Sequence, residues 1–194
     1  MAKRARSEPR SSREAFVAAT AKLLRRQGYN ATGLNQVVAL SGAPKGSLYF
    51  HFPGGKEELA VASMTDAGEK LRRSIAAVVD SSDSVEDSLA RLVDALAAGL
   101  ESSGFEEGCP IATVTLEAAT SSDSVRATAA AVFDSWLGVL EQRFAAAGLA
   151  PAVAERRALL VLSAIEGGLI LSRARGDVSP LTAVRHELLA MASD

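Results

Sequence analysis

Residues 41–59 read SGAPKGSLYFHFPGGKEEL, and this stretch determines which fold the chain is predicted to adopt. Gly42 falls where a tight turn between two helices needs a positive φ angle. Before it, Thr32 is a suitable N-cap for one short helix. After it, Pro44 suits the first turn of a second short helix, which Pro53 and two glycines end. Two short helices joined by a glycine turn predict a helix-turn-helix.

Four ring side chains stand together in this stretch, although the whole chain is only 5% aromatic. Leu48 and Phe52 are four residues apart, so they share one face of a helix, which we expect to be core. We expect Phe50 to be core as well. Lys45 and Tyr49 are also four residues apart and lie on another face. That second face is predicted to be free for a partner.

The charge is distributed unevenly along the chain. Residues 1–56 carry ten lysines and arginines and two glutamates, which is a formal charge of +8. The remaining residues carry eleven lysines and arginines and twenty-one aspartates and glutamates, which is a formal charge of −10. Such an asymmetry favours contact between the first segment and a polyanion. A solvated basic tail would give the same charge, so this observation indicates DNA binding only together with the helix-turn-helix.

Composition and motifs exclude several classes of protein. Abundant alanine without alternating strand patterns predicts an all-α fold. Cys109 is the only cysteine and there are two histidines, so neither an internal disulfide nor a metal or cofactor site is expected. No apolar run is long enough for a membrane span, and no catalytic motif is present. We therefore expect a cytoplasmic protein that is not an enzyme.

The stretch from Thr32 to Leu59 resembles the DNA-binding signature of the TetR family of transcriptional repressors. The matching residues are Gly42, the run Lys45-Gly46-Ser47-Leu48-Tyr49-Phe50-His51-Phe52, and Lys56-Glu57-Glu58-Leu59. The linker PGGKEEL and the later GCPIATVTLEAA, residues 108–119, are similar to the LmrA/YxaF-type subgroup.

The resemblance implies a role for each matched residue. Lys45, Gly46, Ser47 and Tyr49 would line a recognition helix in the major groove of double-stranded DNA, while phosphate contacts would come from Thr32, His51 and Lys56. The N-terminal arm, with Lys3, Arg4 and Arg6, would lie along the DNA backbone or enter a minor groove.

The second domain is expected to bind a small molecule. The division is predicted at 1–55 and 56–194, with a long helix from Lys56 joining the two parts. Bulky apolar residues with sparse polar groups predict a ligand pocket, and core packing is the alternative for each. Cys109 is a possible redox sensor or inert, and Glu166 could pair with Arg173, hold a ligand group or face solvent. The predicted lining is Leu96, Phe105, Cys109, Ile111, Thr113, Val114, Glu117, Phe133, Trp136, Leu137, Ile165 and Glu166.

The last two helices are expected to form a homodimer interface. The penultimate one is apolar nearly all round, and the last has a single seam of Leu181, Val184, Leu188 and Met191. Packing within one chain is the alternative. The function expected is that of a repressor that binds a palindromic operator as a homodimer and is released by a small, largely apolar molecule. A constitutive DNA-binding dimer and, less favoured, a hydrolytic enzyme are the other hypotheses.

Overall fold

The computed structural model describes residues 11–193 of the 194-residue chain. Within this range the chain forms helices and no strand, which confirms the all-α class. The helices are α1 (Ser12–Gln27), α2 (Leu34–Ser41), α3 (Lys45–His51), α4 (Gly55–Asp80), α5 (Val85–Ser102), α6 (Pro110–Ala118), α7 (Asp123–Ala146), α8 (Pro151–Arg175) and α9 (Ser179–Ser193). None of the helices in the described range is long and apolar enough to cross a membrane.

Helix ends follow the capping residues in the sequence. Ser11 and Glu14 form a reciprocal capping box at the start of α1. Helix α2 begins after Gly33, whose N–H donates to the Gln36 side chain at 2.9 Å. The predicted N-cap role of Thr32 is therefore wrong. Its hydroxyl donates instead to the Gly28 carbonyl at 2.6 Å, which ties the turn before α2 to the end of α1.

A small hydrophobic core holds the first three helices together. The Phe16 and Phe52 rings meet edge to face, with centroids 6.5 Å apart. The buried side chains of this core come from α1, α2, α3, the residue that follows α3, and the start of α4: Phe16, Val17, Ala19, Val37, Leu48, Phe52 and Leu59. Burial of this face fixes α3 against α1 and leaves its opposite face outside.

A larger core fills the rest of the chain and shares α4 with the first core. Leu59 belongs to the first core, whereas Ala60 and Met64 belong to the second. Trp136 of α7 is buried there, and its indole N–H donates to the Gly68 carbonyl of α4 at 3.0 Å. Helix α4 is continuous through both cores and so connects the two parts of the chain. The division at residue 55 stays a prediction.

The outer surface near the C-terminus differs from the expected one. The predicted seam of α9 turns inward: Leu181 and Leu188 are buried, and Val184 and Met191 pack partly against the same core. The interpretation of this seam as a dimer interface is therefore wrong, because α9 needs it to pack on α5 and α8 of its own chain. Half-exposed apolar side chains remain on α8: Leu159, Leu160, Ile170 and Leu171.

Candidate nucleic-acid interface

The turn between α2 and α3 has the predicted geometry. Gly42 lies in the left-handed region, with φ 67° and ψ 4°, and its N–H donates to the Val38 carbonyl at 3.2 Å. A residue with a side chain would be strained there. The Ala43 N–H then donates to the Ser41 hydroxyl, which closes the turn and directs the chain into α3.

Helix α3 has one buried side. Leu48 is buried as predicted, and Phe52, which follows the helix, is buried with it. The prediction that Phe50 belongs to the core is wrong, because its side chain is 82% exposed. Two residues along a helix correspond to a rotation of about 200°, so a residue midway between Leu48 and Phe52 must point away from their face.

The opposite side of α3 presents cationic and aromatic groups to solvent. Lys45, Gly46, Tyr49 and Phe50 are exposed. A Cβ placed on Gly46 would meet no atom within 4 Å, so packing within the chain does not require glycine there. Ser47 is half-buried, and its hydroxyl donates to the Pro44 carbonyl at 2.7 Å. The exposed set has the chemistry needed to contact both base edges and phosphates.

His51 closes the helix beside this exposed face. It is half-buried, and its ring lies edge-on to Phe50, with centroids 5.2 Å apart, and to Phe52 at 6.4 Å. The histidine therefore stands between the core ring and the exposed ring. Phosphate contact by His51 stays a prediction.

Two other predicted phosphate ligands already have partners in the protein. The Thr32 side chain is buried and its hydroxyl is held by Gly28, so this hydroxyl is not presented at the surface. The Lys56 ammonium group lies 4.5 Å from the centre of the Tyr29 ring and donates to the Asn30 carbonyl at 3.2 Å. A phosphate contact by Lys56 would have to share or replace these interactions.

Part of the basic charge faces the second domain. At the end of α1, Arg25 pairs with Glu107 at 2.8 Å and Arg26 pairs with Glu106, both from the loop between α5 and α6. These two arginines therefore join the domains, which the count of charges along the sequence did not anticipate. The predicted arm with Lys3, Arg4 and Arg6 lies outside the described residues.

Most of the predicted ligand-pocket residues lie in or against the second core. Ile111, Val114, Trp136 and Ile165 are buried. The half-buried ones are Leu96, Phe105, Cys109, Thr113, Phe133, Leu137 and Glu166. Two clefts of about 380 and 440 Å³ are lined by other residues, at the start of α5 and between α4 and α7. The ligand pocket stays a prediction.

Glu117 does not belong with this group. Its carboxylate leaves the second core and accepts a hydrogen bond from the backbone N–H of Asn30, in the turn between α1 and α2, at 2.6 Å. Its expected role as a polar group in the ligand pocket stays a prediction, and one of its carboxylate oxygens is already engaged by Asn30. The sequence gives no periodic signal for such a contact, because Glu117 and Asn30 are far apart along the chain.

Cys109 and Glu166, both half-buried, bring two acidic groups together where α6 begins. The Cys109 thiol caps α6, accepting from the Ala112 N–H at 3.5 Å, and it lies against the Glu166 carboxyl. Burial and the neighbouring Glu166 carboxyl raise the pKa of the Cys109 thiol, which disfavours the reactive thiolate. Burial also raises the pKa of Glu166.

Glu166 does not pair with Arg173. The Arg173 guanidinium donates instead to the carbonyls of Arg26 and Glu106, at 3.1 and 3.0 Å. The Oε2 atom of Glu166 is buried and has no hydrogen-bond partner among the described residues. Of the roles considered for Glu166, pairing with Arg173 is excluded in this structure.

The sequence matches two family models. Residues 16–62 match the N-terminal model of the bacterial regulatory proteins of the tetR family, and residues 86–187 match the C-terminal domain of LmrA/YxaF-like transcriptional regulators. The first match contains the whole helix-turn-helix, and the second contains α6, α7, α8, nearly all of α5 and the first part of α9.

Curated relatives extend this likeness over most of the chain. The HTH-type transcriptional regulator LmrA of Bacillus subtilis is 33% identical over 170 residues, which covers 88% of this chain and 90% of the relative. The B. subtilis regulator YxaF is 35% identical over 177 residues, covering 91% and 93%. A regulator of Mycobacterium tuberculosis, Rv0196, is 39% identical over 181 residues, covering 91% of each chain.

Solved structures agree with the fold. A TetR transcriptional regulator from Legionella pneumophila superimposes with a TM-score of 0.86 over 96% of this chain and all of the other, at 22% identity. A TetR regulator from Chloroflexus aurantiacus gives 0.77 at 29% identity, covering 94% of both chains. The chain belongs to the TetR family of DNA-binding transcriptional regulators, in its LmrA/YxaF-like group.

Proposed function

We propose that this regulator is a repressor that binds a palindromic operator as a homodimer and leaves it when a small, largely apolar molecule binds. The observation that carries the proposal is the exposed face of α3. Its buried anchors, Leu48 and Phe52, hold the helix against α1, while Lys45, Tyr49 and Phe50 face outward. Such a helix can enter the major groove as a rigid element.

The outward face of α8 supports a homodimer. Leu159, Leu160, Ile170 and Leu171 fall within about one third of the helix circumference. A contiguous exposed apolar surface of this kind favours association. Gly167 lies on the same face, where a Cβ would meet no atom within 4 Å, so a second backbone could approach closely. The exposed surface of α9 would border this interface.

A two-fold dimer would also match the DNA. A palindromic operator presents two half-sites about 34 Å apart, and one copy of α3 could occupy each of them. The test is a double substitution, Leu160→Glu with Leu171→Glu, examined by sedimentation and by operator binding. We expect a folded monomer that no longer binds a palindromic duplex tightly. A dimer that persists and binds as wild type would contradict this arrangement.

Effector binding is the other part of the proposal. Its support is the apolar second core with few polar groups, among them Glu166, whose Oε2 has no partner among the described residues. A specific observation favours the alternative of a constitutive DNA-binding dimer. The Trp136 indole is satisfied by Gly68, and its ring packs edge to face on Phe133 at 5.4 Å, which is ordinary core packing.

Trp136 gives the experiment that separates these alternatives, because it is the only tryptophan of the chain. Aromatic and polycyclic compounds would be titrated while both its fluorescence and operator binding are recorded. We expect at least one compound to change the two signals in parallel, as differential binding to two states requires. Operator binding that no compound in a broad set reduces would favour the constitutive dimer.

A further inference from the structure

The turn between α1 and α2, residues 28–33, is held by a residue of the second domain. Glu117 stands in the last turn of α6, and its Oε2 atom accepts the Asn30 backbone N–H at 2.6 Å. A hydrogen bond to a charged acceptor is shorter and stronger than one between neutral groups. This contact fixes the turn from the side of α6.

The turn is shaped to receive this carboxylate. Gly28 is buried and has a positive φ of 77°, and a Cβ on it would lie 2.0 Å from Oε1 of Glu117. An alanine at this position could not coexist with the carboxylate where it now lies. Gly28 therefore serves two needs, the backbone conformation and the space for Glu117.

The same residue of the turn is held from its other side by α4. The Asn30 N–H donates to Glu117, while the Asn30 carbonyl accepts from the Lys56 ammonium group at 3.2 Å. Four residues after Asn30, α2 begins, and only the short turn at Gly42 separates α2 from α3. The position of Asn30 therefore contributes to the position of α3 relative to α4 and α6.

We infer that Glu117 is a positioning residue for DNA binding: its hydrogen bond to Asn30 holds the α1–α2 turn, and through it the helix-turn-helix, in the orientation that binds the operator. The inference rests on the proposed function only as far as DNA binding through α3, and needs neither the effector nor its pocket. In this inference Glu117 acts through Asn30 and does not have to touch DNA.

The domains have other connections, so removal of Glu117 tests the turn and not the attachment of the domains. Arg25 remains paired with Glu107, and the Gly108 N–H donates to the Arg25 carbonyl at 3.2 Å. Arg173 of α8 also donates to the Arg26 carbonyl at 3.1 Å. We therefore expect a Glu117 variant to fold with both domains in contact.

The first experiment compares three variants with wild type on one duplex, selected from random DNA by the wild-type protein. Glu117→Ala should lose about three- to tenfold in affinity, as expected for one partly exposed hydrogen bond to a charged group. Glu117→Gln keeps an acceptor oxygen and should recover most of this loss. Glu101→Ala, which removes an exposed acid from α5, is the control for charge and should bind as wild type.

Two further measurements distinguish positioning from general destabilisation. The salt dependence of binding should stay unchanged in Glu117→Ala, because no phosphate contact is removed. Hydrogen exchange at the Asn30 amide should become faster in this variant, whereas exchange in α7 should not change. Equal affinity of Glu117→Ala and Glu101→Ala would overturn the inference, as would a Glu117→Gln variant that binds as weakly as Glu117→Ala.

The last experiment tests the contact without DNA. Gly28→Ala should lower the melting temperature, and combining it with Glu117→Ala should cost less than the sum of the two single changes, because the clash is removed. Strictly additive effects would mean that the carboxylate does not occupy this turn. If the wild-type protein selects no duplex at all, the proposed function fails. The melting temperatures of the two single variants and the double variant still decide whether the Glu117 carboxylate occupies the turn.

Discussion

Leu48 and Phe50 stand two residues apart on α3 and face opposite ways: Leu48 is 1% exposed and Phe50 is 82% exposed. The helix therefore has a packed side and a solvent-exposed side within a single turn. A large exposed aromatic side chain on a cationic helix contributes little to the stability of the isolated protein. Its place on the outward side of α3 favours contact with bases or sugars in a groove.

Substitution of the two neighbouring phenylalanines should separate stability from binding. Phe52→Ala removes a fully buried ring and should destabilise the fold by about 3–5 kcal/mol. Phe50→Ala should change the free energy of unfolding by less than about 0.5 kcal/mol and weaken operator binding. Chemical denaturation and fluorescence anisotropy measure the two effects. A strong loss of stability in Phe50→Ala would mean that its ring packs inside the protein.

Gly46→Ala should improve folding and impair binding. No atom within 4 Å opposes a Cβ at this position, and alanine favours a helix by up to about 1 kcal/mol over glycine. On DNA, however, the added methyl group would stand between α3 and the groove. We expect a higher melting temperature and a lower operator affinity. Unchanged affinity would show that the backbone at Gly46 does not approach DNA closely.

Lys45→Ala tells apart two kinds of DNA contact. Lys45 is exposed in the first turn of α3. If it reaches a guanine edge, its loss should cost about 1–3 kcal/mol of binding and relax one position of the operator. A phosphate contact would instead weaken all sequences alike and reduce the salt slope by about one. A duplex series with single base changes, measured at several salt concentrations, decides between them.

Much of the helix-turn-helix could be predicted from the sequence because local signals define it. Gly42 and the spacing of Leu48 and Phe52 each act within a few residues. The prediction for Phe50 is wrong because aromatic residues favour burial in general, whereas its position halfway between two core residues turns it to solvent. The prediction for Thr32 is wrong because threonine is a good capping residue in general, whereas here its hydroxyl donates back to the Gly28 carbonyl.

The second domain was harder to predict because its contacts join distant segments. The seam of α9 has the same spacing whether it faces another chain or its own core, so the pattern of Leu181 and Leu188 cannot distinguish the two. Likewise, nothing local marks Glu117 as the partner of Asn30. Pairings of this kind depend on how the helices are arranged in three dimensions.

Adjacent glycines of α8 offer a matched pair of substitutions. A Cβ on Gly168 would lie 2.9 Å from Cδ2 of Leu181 in α9, whereas one on Gly167 meets nothing within 4 Å of its own chain. Gly168→Ala should therefore disturb packing inside the protomer and lower its stability. Gly167→Ala should leave the protomer intact and raise the dissociation constant of the dimer. Sedimentation at several concentrations would detect this, and an unchanged dimer would place the interface elsewhere.

The buried carboxyl of Glu166 should make stability depend on pH in a defined direction. Burial raises its pKa in the folded protein, so between the unfolded and folded pKa values the folded state binds more protons than the unfolded state. Its contribution to stability is therefore present at low pH, is lost as the pH rises through that window, and does not return above it. Glutamine cannot titrate, so Glu166→Gln removes this dependence.

The measurement is the free energy of unfolding of Glu166→Gln minus that of wild type, followed from about pH 5 to about pH 8. This difference should increase with pH, because wild type alone has to ionise a carboxyl group in the core. Taking the difference cancels the carboxyls with lowered pKa values, Glu57, Glu69, Glu86 and Asp177, which act in the opposite direction in both proteins. A difference that stays constant or decreases would mean that water or a cation reaches the Glu166 carboxylate, since a buried acid without a charge partner resists ionisation.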